Sequence, residues 1–211
     1  MTFKVTKFVH SCLLVETSGR VALFDPGMMS TSSISIDSLS QLDDIFITHS
    51  HGDHIDVPFI QKLVDKFPNI RITTTEEVVK QLKAEGIKAS VEAPEGVQIF
   101  DAPHEEVQPL FPNPEEIGVH YLDSLTHPGD SYSFNETKAI LALPVTAPWG
   151  ASTKGIALAL KLKPKYVLPI HDWHWRDEAR QGMYDIFEDV LGKQGITFHK
   201  LETGKPAEIT V

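Results

Sequence analysis

The stretch Thr48-His49-Ser50-His51-Gly52-Asp53-His54 decides how this chain is read. Its pattern, T-H-x-H-x-D-H, packs four side chains able to ligate a metal behind an apolar run, Ile45-Phe46-Ile47, that reads as a buried strand. At this chain's own His and Asp frequencies, chance yields the pattern on the order of once in a thousand such sequences. Imidazole suits zinc-like ions and carboxylate adds a hard oxygen donor, so the stretch points to metal chemistry. His49 and His51, two apart on an extended segment, face the same side. Gly52 permits a tight turn that swings Asp53 and His54 toward a second, adjacent position. The motif therefore offers two incomplete ligand sets.

Composition sets the frame around it. The chain has 211 residues, 41% hydrophobic and 23% charged, which fits one α/β domain spanning residues 1–211. A net charge of −10 with no cluster of Lys or Arg argues against nucleic acid as a partner. A local pair of dications can still attract a small anionic molecule. The single cysteine, Cys12, excludes an internal disulfide and reads as a core residue. No apolar run reaches about 18 residues and no export signal is evident, so no membrane partner and a cytoplasmic location are expected. Assembly into a homo-oligomer is compatible with these features.

Outward from the motif, Phe3–Val15 and Val21-Ala22-Leu23-Phe24, split by Ser18-Gly19, predict an antiparallel hairpin that stops at Asp25-Pro26-Gly27. Residues 28–41 predict a surface loop. Downstream, Asp56 predicts a helix cap, followed by Phe59, Ile60, Leu63, Val64 and Phe67 at helical spacing. A short strand over Ile70–Thr73 and a helix from about Thr75 to Glu85 come next. Strands are expected at 97–100, 118–122, 132–134, 139–143 and 166–170, with short ones at 197–199 and 209–211. Helices are expected at 154–163 and 177–191. Pro103 to Pro114, with four prolines, predicts an irregular loop. The alternation of strands and helices favours layered α/β architecture.

The missing ligands belong at later strand ends. His104 follows Ile99–Pro103, Asp130 lies in the turn His127-Pro128-Gly129-Asp130, and His171 ends the strand from Tyr166. Such corners hold a side chain on a rigid scaffold.

The order T-H-x-H-x-D-H, a later His, a later Gly-Asp and a final Pro-Ile-His resembles the metallo-β-lactamase superfamily over nearly the whole chain, from His10 and Asp25-Pro26 onward. It is most similar to the short branch that includes ascorbate-phosphate lactonase-like hydrolases. The resemblance implies a four-layer αβ/βα sandwich, two mixed sheets packed face to face with helices outside. It implies His49, His51 and His104 on one divalent ion, Asp53, His54 and His171 on a second, and Asp130 bridging them. Zinc is the first expectation for both ions, with manganese or iron as alternatives. Asp25 resembles a strand-end aspartate that orients the motif histidines, and His10 sits where the branch often carries a His near the metals. The activity implied is hydrolysis of an ester, lactone or phosphodiester in a small-molecule substrate by a metal-activated water, with Asp53 as catalytic proton carrier. Position 51 is His where the flavin-linked di-iron subgroup has Glu, and no inserted RNA-clamping domain is present. The competing expectation is a metal-binding or regulatory protein without turnover. Trp149, Trp173 and Trp175 are candidates for an apolar wall beside the metals.

Overall fold

The structure is a computed structural model that describes residues 1–211. Two six-stranded mixed sheets face each other. The first runs β12 (Pro206–Thr210), β1 (Thr2–Lys7), β2 (Leu13–Glu16), β3 (Val21–Phe24), β4 (Asp44–Phe46), β5 (Arg71–Thr73). The second runs β11 (Thr197–Phe198), β10 (Tyr166–Ile170), β9 (Ile140–Pro144), β8 (Leu125–His127), β7 (Ile117–Tyr121), β6 (Val97–Asp101). The hairpin β2–β3 is antiparallel as expected, while β3–β4–β5 and β8–β9–β10–β11 pair in parallel.

Strand alternation explains the layers. Phe3, Val5, Leu13, Val15, Ala22 and Phe24 point inward and meet Val119, Leu125, Ile140, Ala142, Leu168 and Ile170 of the facing sheet. Their alternates point outward. Leu14, Leu23, Ile45 and Ile72 pack against Ile60 and Leu63 of α1 (Val57–Lys66) and Val78 and Leu82 of α2 (Glu76–Ala84). Leu141, Leu143 and Val167 pack against Leu158 of α3 (Ser152–Leu162) and Tyr184, Phe187 and Leu191 of α4 (Asp177–Gly192). Each fully buried Leu or Ile contributes roughly 1.5–3 kcal/mol to this arrangement. The result is the four-layer sandwich. No helix is long and apolar enough to cross a membrane.

Local signals place the elements well. Asp56 caps α1 by accepting the Phe59 N–H at 3.1 Å, and Thr75 caps α2 through the Val78 N–H. Residues 28–41 are a loop with two single-turn helices, yet it is tied down by buried Ile34 and Leu39. Two expectations fail. The 3–15 run is not one arm of a hairpin but two antiparallel strands, β1 and β2, split by a turn over residues 8–12. Residues 132–134 form no strand, and the edge that pairs with β9 is Leu125–His127. The Tyr132 N–H goes to the Glu105 carboxylate and the Ser133 N–H to the Ser131 hydroxyl. Side chains thus satisfy a backbone that would otherwise need a ladder. Phe134 is buried against the β9–α3 layer instead.

The inner face also carries an ion cluster. Lys7 shares the parity of Phe3 and Val5, is 1% exposed, and donates to both Asp172 oxygens at 2.9 and 2.8 Å. Tyr184 donates to Asp172 at 2.6 Å and Arg180 lies 3.0 Å away, so β1, the end of β10 and α4 converge on one carboxylate. Burial pushes the Lys7 ammonium below its ordinary pKa although Asp172 pulls the other way. Asp172, which burial alone would raise, is held below the usual carboxylate range by Lys7 and by the bonds from Lys7 and Tyr184. Asp172→Asn leaves Lys7 buried without a counter-charge and is expected to cost about 3–5 kcal/mol. Lys7→Met, which leaves Asp172 with Tyr184 and Arg180, is expected to cost less. Urea unfolding of both variants checks that order, and equal losses would contradict it.

Candidate metal centre

All the candidate ligands leave strand ends at one edge of the sandwich. Asp25 follows β3, the His49–His54 motif follows β4, and His104 follows β6. Asp130 follows β8 and His171 ends β10. Two of these corners, Asp25 at φ 44° and His171 at φ 64°, use left-handed backbone at a non-glycine residue, as does His10, between β1 and β2, at φ 67°. Strain of this kind persists where surrounding packing imposes it, and it gathers at functional sites. The His171 N–H donates to the His10 carbonyl at 3.2 Å, joining two strained corners from opposite sheets. Gly27 has no alternative, since a Cβ there would fall 1.8 Å from the Asp53 carbonyl oxygen.

Three overlapping groups of potential ligands result, each with its ligand atoms within 4.8 Å of one another. They are His49, His51 and His104; His10, Asp53, His54 and His171; and His49, His54 and Asp130. Asp130 lies between the first two. Its Oδ1 is 3.2 Å from His54 Nε2, and its Oδ2 is 3.0 Å from His171 Nε2 and 3.6 Å from His104 Nε2.

Each imidazole is fixed from behind. His54 Nδ1–H donates to Asp25 Oδ2 at 2.8 Å, while Asp25 also accepts from the Thr48 N–H and hydroxyl. His51 donates through Nε2 to the Pro112 carbonyl at 3.1 Å, which leaves Nδ1 free. His104 donates through Nδ1 to the Glu105 carbonyl, and His171 through Nδ1 to the Thr146 carbonyl at 2.9 Å. What remains is telling: Nε2 of His49, His54 and His104 and Oδ1 of Asp130 are buried and make no hydrogen bond, although His54 Nε2 and Asp130 Oδ1 stand at ion-pair distance. Four buried or partly buried carboxylates, Asp25, Asp53, Asp130 and Glu116, gather here, and their ion-pair partners are histidines alone. Unpartnered inward nitrogens and uncompensated acids are the environment that divalent cations satisfy.

The charge states follow from this crowding. Burial lowers His49 well below the ordinary histidine value, aided by the neighbouring His54. Burial also opposes a charged His54, but Asp130, Asp25 and Asp53 together raise it well above that value. Asp53 and Asp130 are kept ionised, since the histidines around them outweigh burial. Burial and the approach of His171 bring His10 down to about 4. Its Nε2 lies 2.9 Å from Asp53 Oδ2.

Glu116 gave no signal in the sequence. It looks like one of two acids closing a proline-rich loop, yet it is fully buried. Its Oε1 accepts the Asp130 N–H at 2.6 Å and sits 3.1 Å from His49 Nδ1. Gly129 makes room for it, because a Cβ there would lie 2.1 Å from Glu116 Oε1. Burial and Asp130 push its carboxyl well above the ordinary range. Glu116 thus stands behind His49 at ion-pair distance, beside the Thr48 hydroxyl that hydrogen-bonds His49 Nδ1 at 3.1 Å. His127 also has a place: it stacks on Phe24, bonds the Ser11 carbonyl through Nε2 and accepts the Gly129 N–H, bracing the Asp130 turn. His120 and His199 stay outside the groups, and His174 edges His10 and His171 at 6.3 Å.

The tryptophans divide. Trp149 donates to Asp130 Oδ2 at 3.1 Å, with its ring 5.1 Å from His171 and 5.8 Å from His104. Trp173 is exposed beside His174, whereas Trp175 packs against the α3–α4 core and forms no part of a wall.

Comparison with known proteins agrees with this architecture. Residues 4–171 match the family model described as a β-lactamase superfamily domain, and the chain belongs to that superfamily. Protein Rv0786c of Mycobacterium tuberculosis is 31% identical over 192 residues, covering 86% of this chain and 89% of its own. A UPF0173 metal-dependent hydrolase of Pyrococcus furiosus is 25% identical, with 97% of each chain covered. Among solved structures, the metallo hydrolase Igni18 of Ignicoccus hospitalis superimposes with a TM-score of 0.76 at 18% identity over the full length of both chains. The chain is a metal-dependent hydrolase of the metallo-β-lactamase fold.

Glu116→Ala removes the support behind His49 and is expected to weaken metal binding about 10- to 100-fold, whereas Glu116→Gln, which keeps an acceptor, retains most of it. Chelator competition measures both. Equal affinity in the Ala variant and the wild type would remove Glu116 from the site.

Proposed function

We propose that the chain is a dinuclear metal-dependent hydrolase that cleaves an ester, lactone or phosphodiester bond in a small molecule. The observation that carries this reading is the set of buried Nε2 atoms of His49, His54 and His104 that make no hydrogen bond, gathered around the Asp130 carboxylate. On this reading His49, His51 and His104 hold one ion. Asp53, His54 and His171 hold the other, and Asp130 spans both. The three imidazoles of the first set suit zinc, and the carboxylate-richer second set also admits manganese or iron. Bound there, two divalent ions supply a water that ionises near neutral pH and a Lewis acid for the carbonyl or phosphoryl oxygen.

The chain's own groups do the rest. Asp53, 27% exposed where His49, His54, Asp130 and His171 are nearly closed off, is the carboxylate placed to carry a proton to a leaving group. His10 holds it in position through Nε2. Trp149 screens one side of Asp130 from solvent and fixes its Oδ2. Both sheets contribute ligands, so residues 1–211 act as one catalytic unit. The lone buried Cys12 is in keeping with a reducing, cytoplasmic setting.

The wild-type protein is expected to bind two ions per chain, and His49→Ala and Asp130→Ala each to lose at least one. Metal analysis of the purified variants decides this, and unchanged content in both would sink the assignment. Chromogenic ester, lactone and phosphodiester substrates supply the second arm. Silence on all three with two ions bound would favour a regulatory metal protein.

A further inference from the structure

Seven large apolar side chains are exposed on the molecule: Met1, Met28, Val91, Leu110, Phe111, Trp173 and Ile186. Single exposed apolar residues are ordinary, but their distribution here is not even. Four of the seven stand on the loops that carry the candidate ligands. Met28 lies three residues past Asp25, its N–H donating to the Gly52 carbonyl between His51 and Asp53 at 2.8 Å. A Cβ on Gly52 would meet the Met28 methyl at 2.4 Å, so that side chain lies over the motif's own turn. Leu110 and Phe111 stand on the loop whose Pro112 carbonyl holds His51, and the Phe111 ring is 6.0 Å from the His51 ring. Trp173 follows His171 by two residues, its ring 5.3 Å from His174. Trp149 adds a partly buried indole from the β9–α3 loop.

Charge points the same way. Residues 21–61 and 89–137 contain no Lys or Arg, and these stretches include every candidate ligand except His171 and His10. Near His171, Lys7 and Arg180 are committed to Asp172. Lys154 is paired with Glu105 at 3.3 Å, and Arg176 sits exposed at the start of α4. A phosphate monoester or a nucleotide needs fixed cations around the metals to hold its further charges. Arg176 apart, the loops of this site offer apolar surface and carboxylates instead.

We propose that the rim formed by Met28, Leu110, Phe111, Trp149 and Trp173 binds the apolar chain of an uncharged ester or lactone. This rests on the hydrolase reading and narrows its substrate class. An apolar rim of this kind removes several methylenes from water, each worth a factor of a few in binding.

Two measurements test it. In metal-free protein, where no turnover intervenes, γ-octalactone is expected to quench tryptophan fluorescence saturably and γ-butyrolactone is not. In metal-loaded protein, p-nitrophenyl octanoate is expected to exceed p-nitrophenyl acetate in kcat/KM by at least about tenfold. The double variant Leu110→Ser, Phe111→Ser lowers that ratio, while Ile186→Ser, on the outer face of α4, leaves it alone. Identical responses to the two lactones, a ratio near one, or a ratio that survives the double variant would each overturn the inference. A phosphodiester cleaved faster than every ester would do the same. Absence of any turnover with two ions bound strikes the hydrolase reading instead, and the fluorescence titration then judges the rim on its own.

Discussion

Asp25 is the residue on which the candidate site's geometry depends. Fully buried at the end of β3, it accepts from the Thr48 N–H, the Thr48 hydroxyl and His54 Nδ1. These three bonds tie the first hairpin to the histidine motif and fix the tautomer of His54, whose Nε2 faces Asp130. The backbone at Asp25 is left-handed, so the contact is made against local preference. Without it, Thr48 would leave a buried donor pair unsatisfied, and the His49–His54 turn would have nothing to hold its register.

The second sheet answers with Glu116, which grips His49 and the Asp130 backbone from the start of β7. The two halves of the site are therefore supported by two carboxylates on different sheets. What keeps those sheets in register is the apolar layer between them, from Phe3 and Val5 to Leu168 and Ile170. The buried Lys7–Asp172 pair extends that layer to the residue next to His171. Parallel strands β3, β4, β9 and β10 all present their carboxyl ends at this edge, where open α/β sheets place ligands. Packing energy far from the metals thus sustains strained corners beside them.

Much of this was legible in the sequence because the signals were local. The motif, the Asp56 cap, the helix starting near Thr75, the β2–β3 turn and the strand ends at His104, Asp130 and His171 all rest on residues a few positions apart. The misses were long-range. Tyr132–Phe134 looked like a strand, but its backbone is satisfied by Glu105, some 27 residues away in sequence. Glu116 was invisible because nothing local separates a buried Glu from a solvated one, and only the fold brings His49 to it. Lys7 was not legible either. Its burial shows only in the fold, where it continues the inward face of Phe3 and Val5 and meets Asp172, 165 residues on. Asp25 and His10 were suggested by resemblance, and their partners came from the structure.

A division of labour follows from how the site is held. The imidazoles flanking Asp130 are anchored from behind by carboxylates or carbonyls that belong to strand ends, so their positions are a property of the scaffold. The side chains that surround them, Met28, Leu110, Phe111 and Trp173, stand on loops outside the strand ladders. Such loops can change composition without disturbing a single anchoring bond, with one exception. The Pro112 carbonyl holds His51, so the loop bearing Leu110 and Phe111 is coupled to the metal site it overhangs. A substrate pressing on that loop presses on a candidate ligand. The rim and the chemistry are mechanically joined at His51 and again at Asp130, whose Oδ2 accepts from the rim's Trp149.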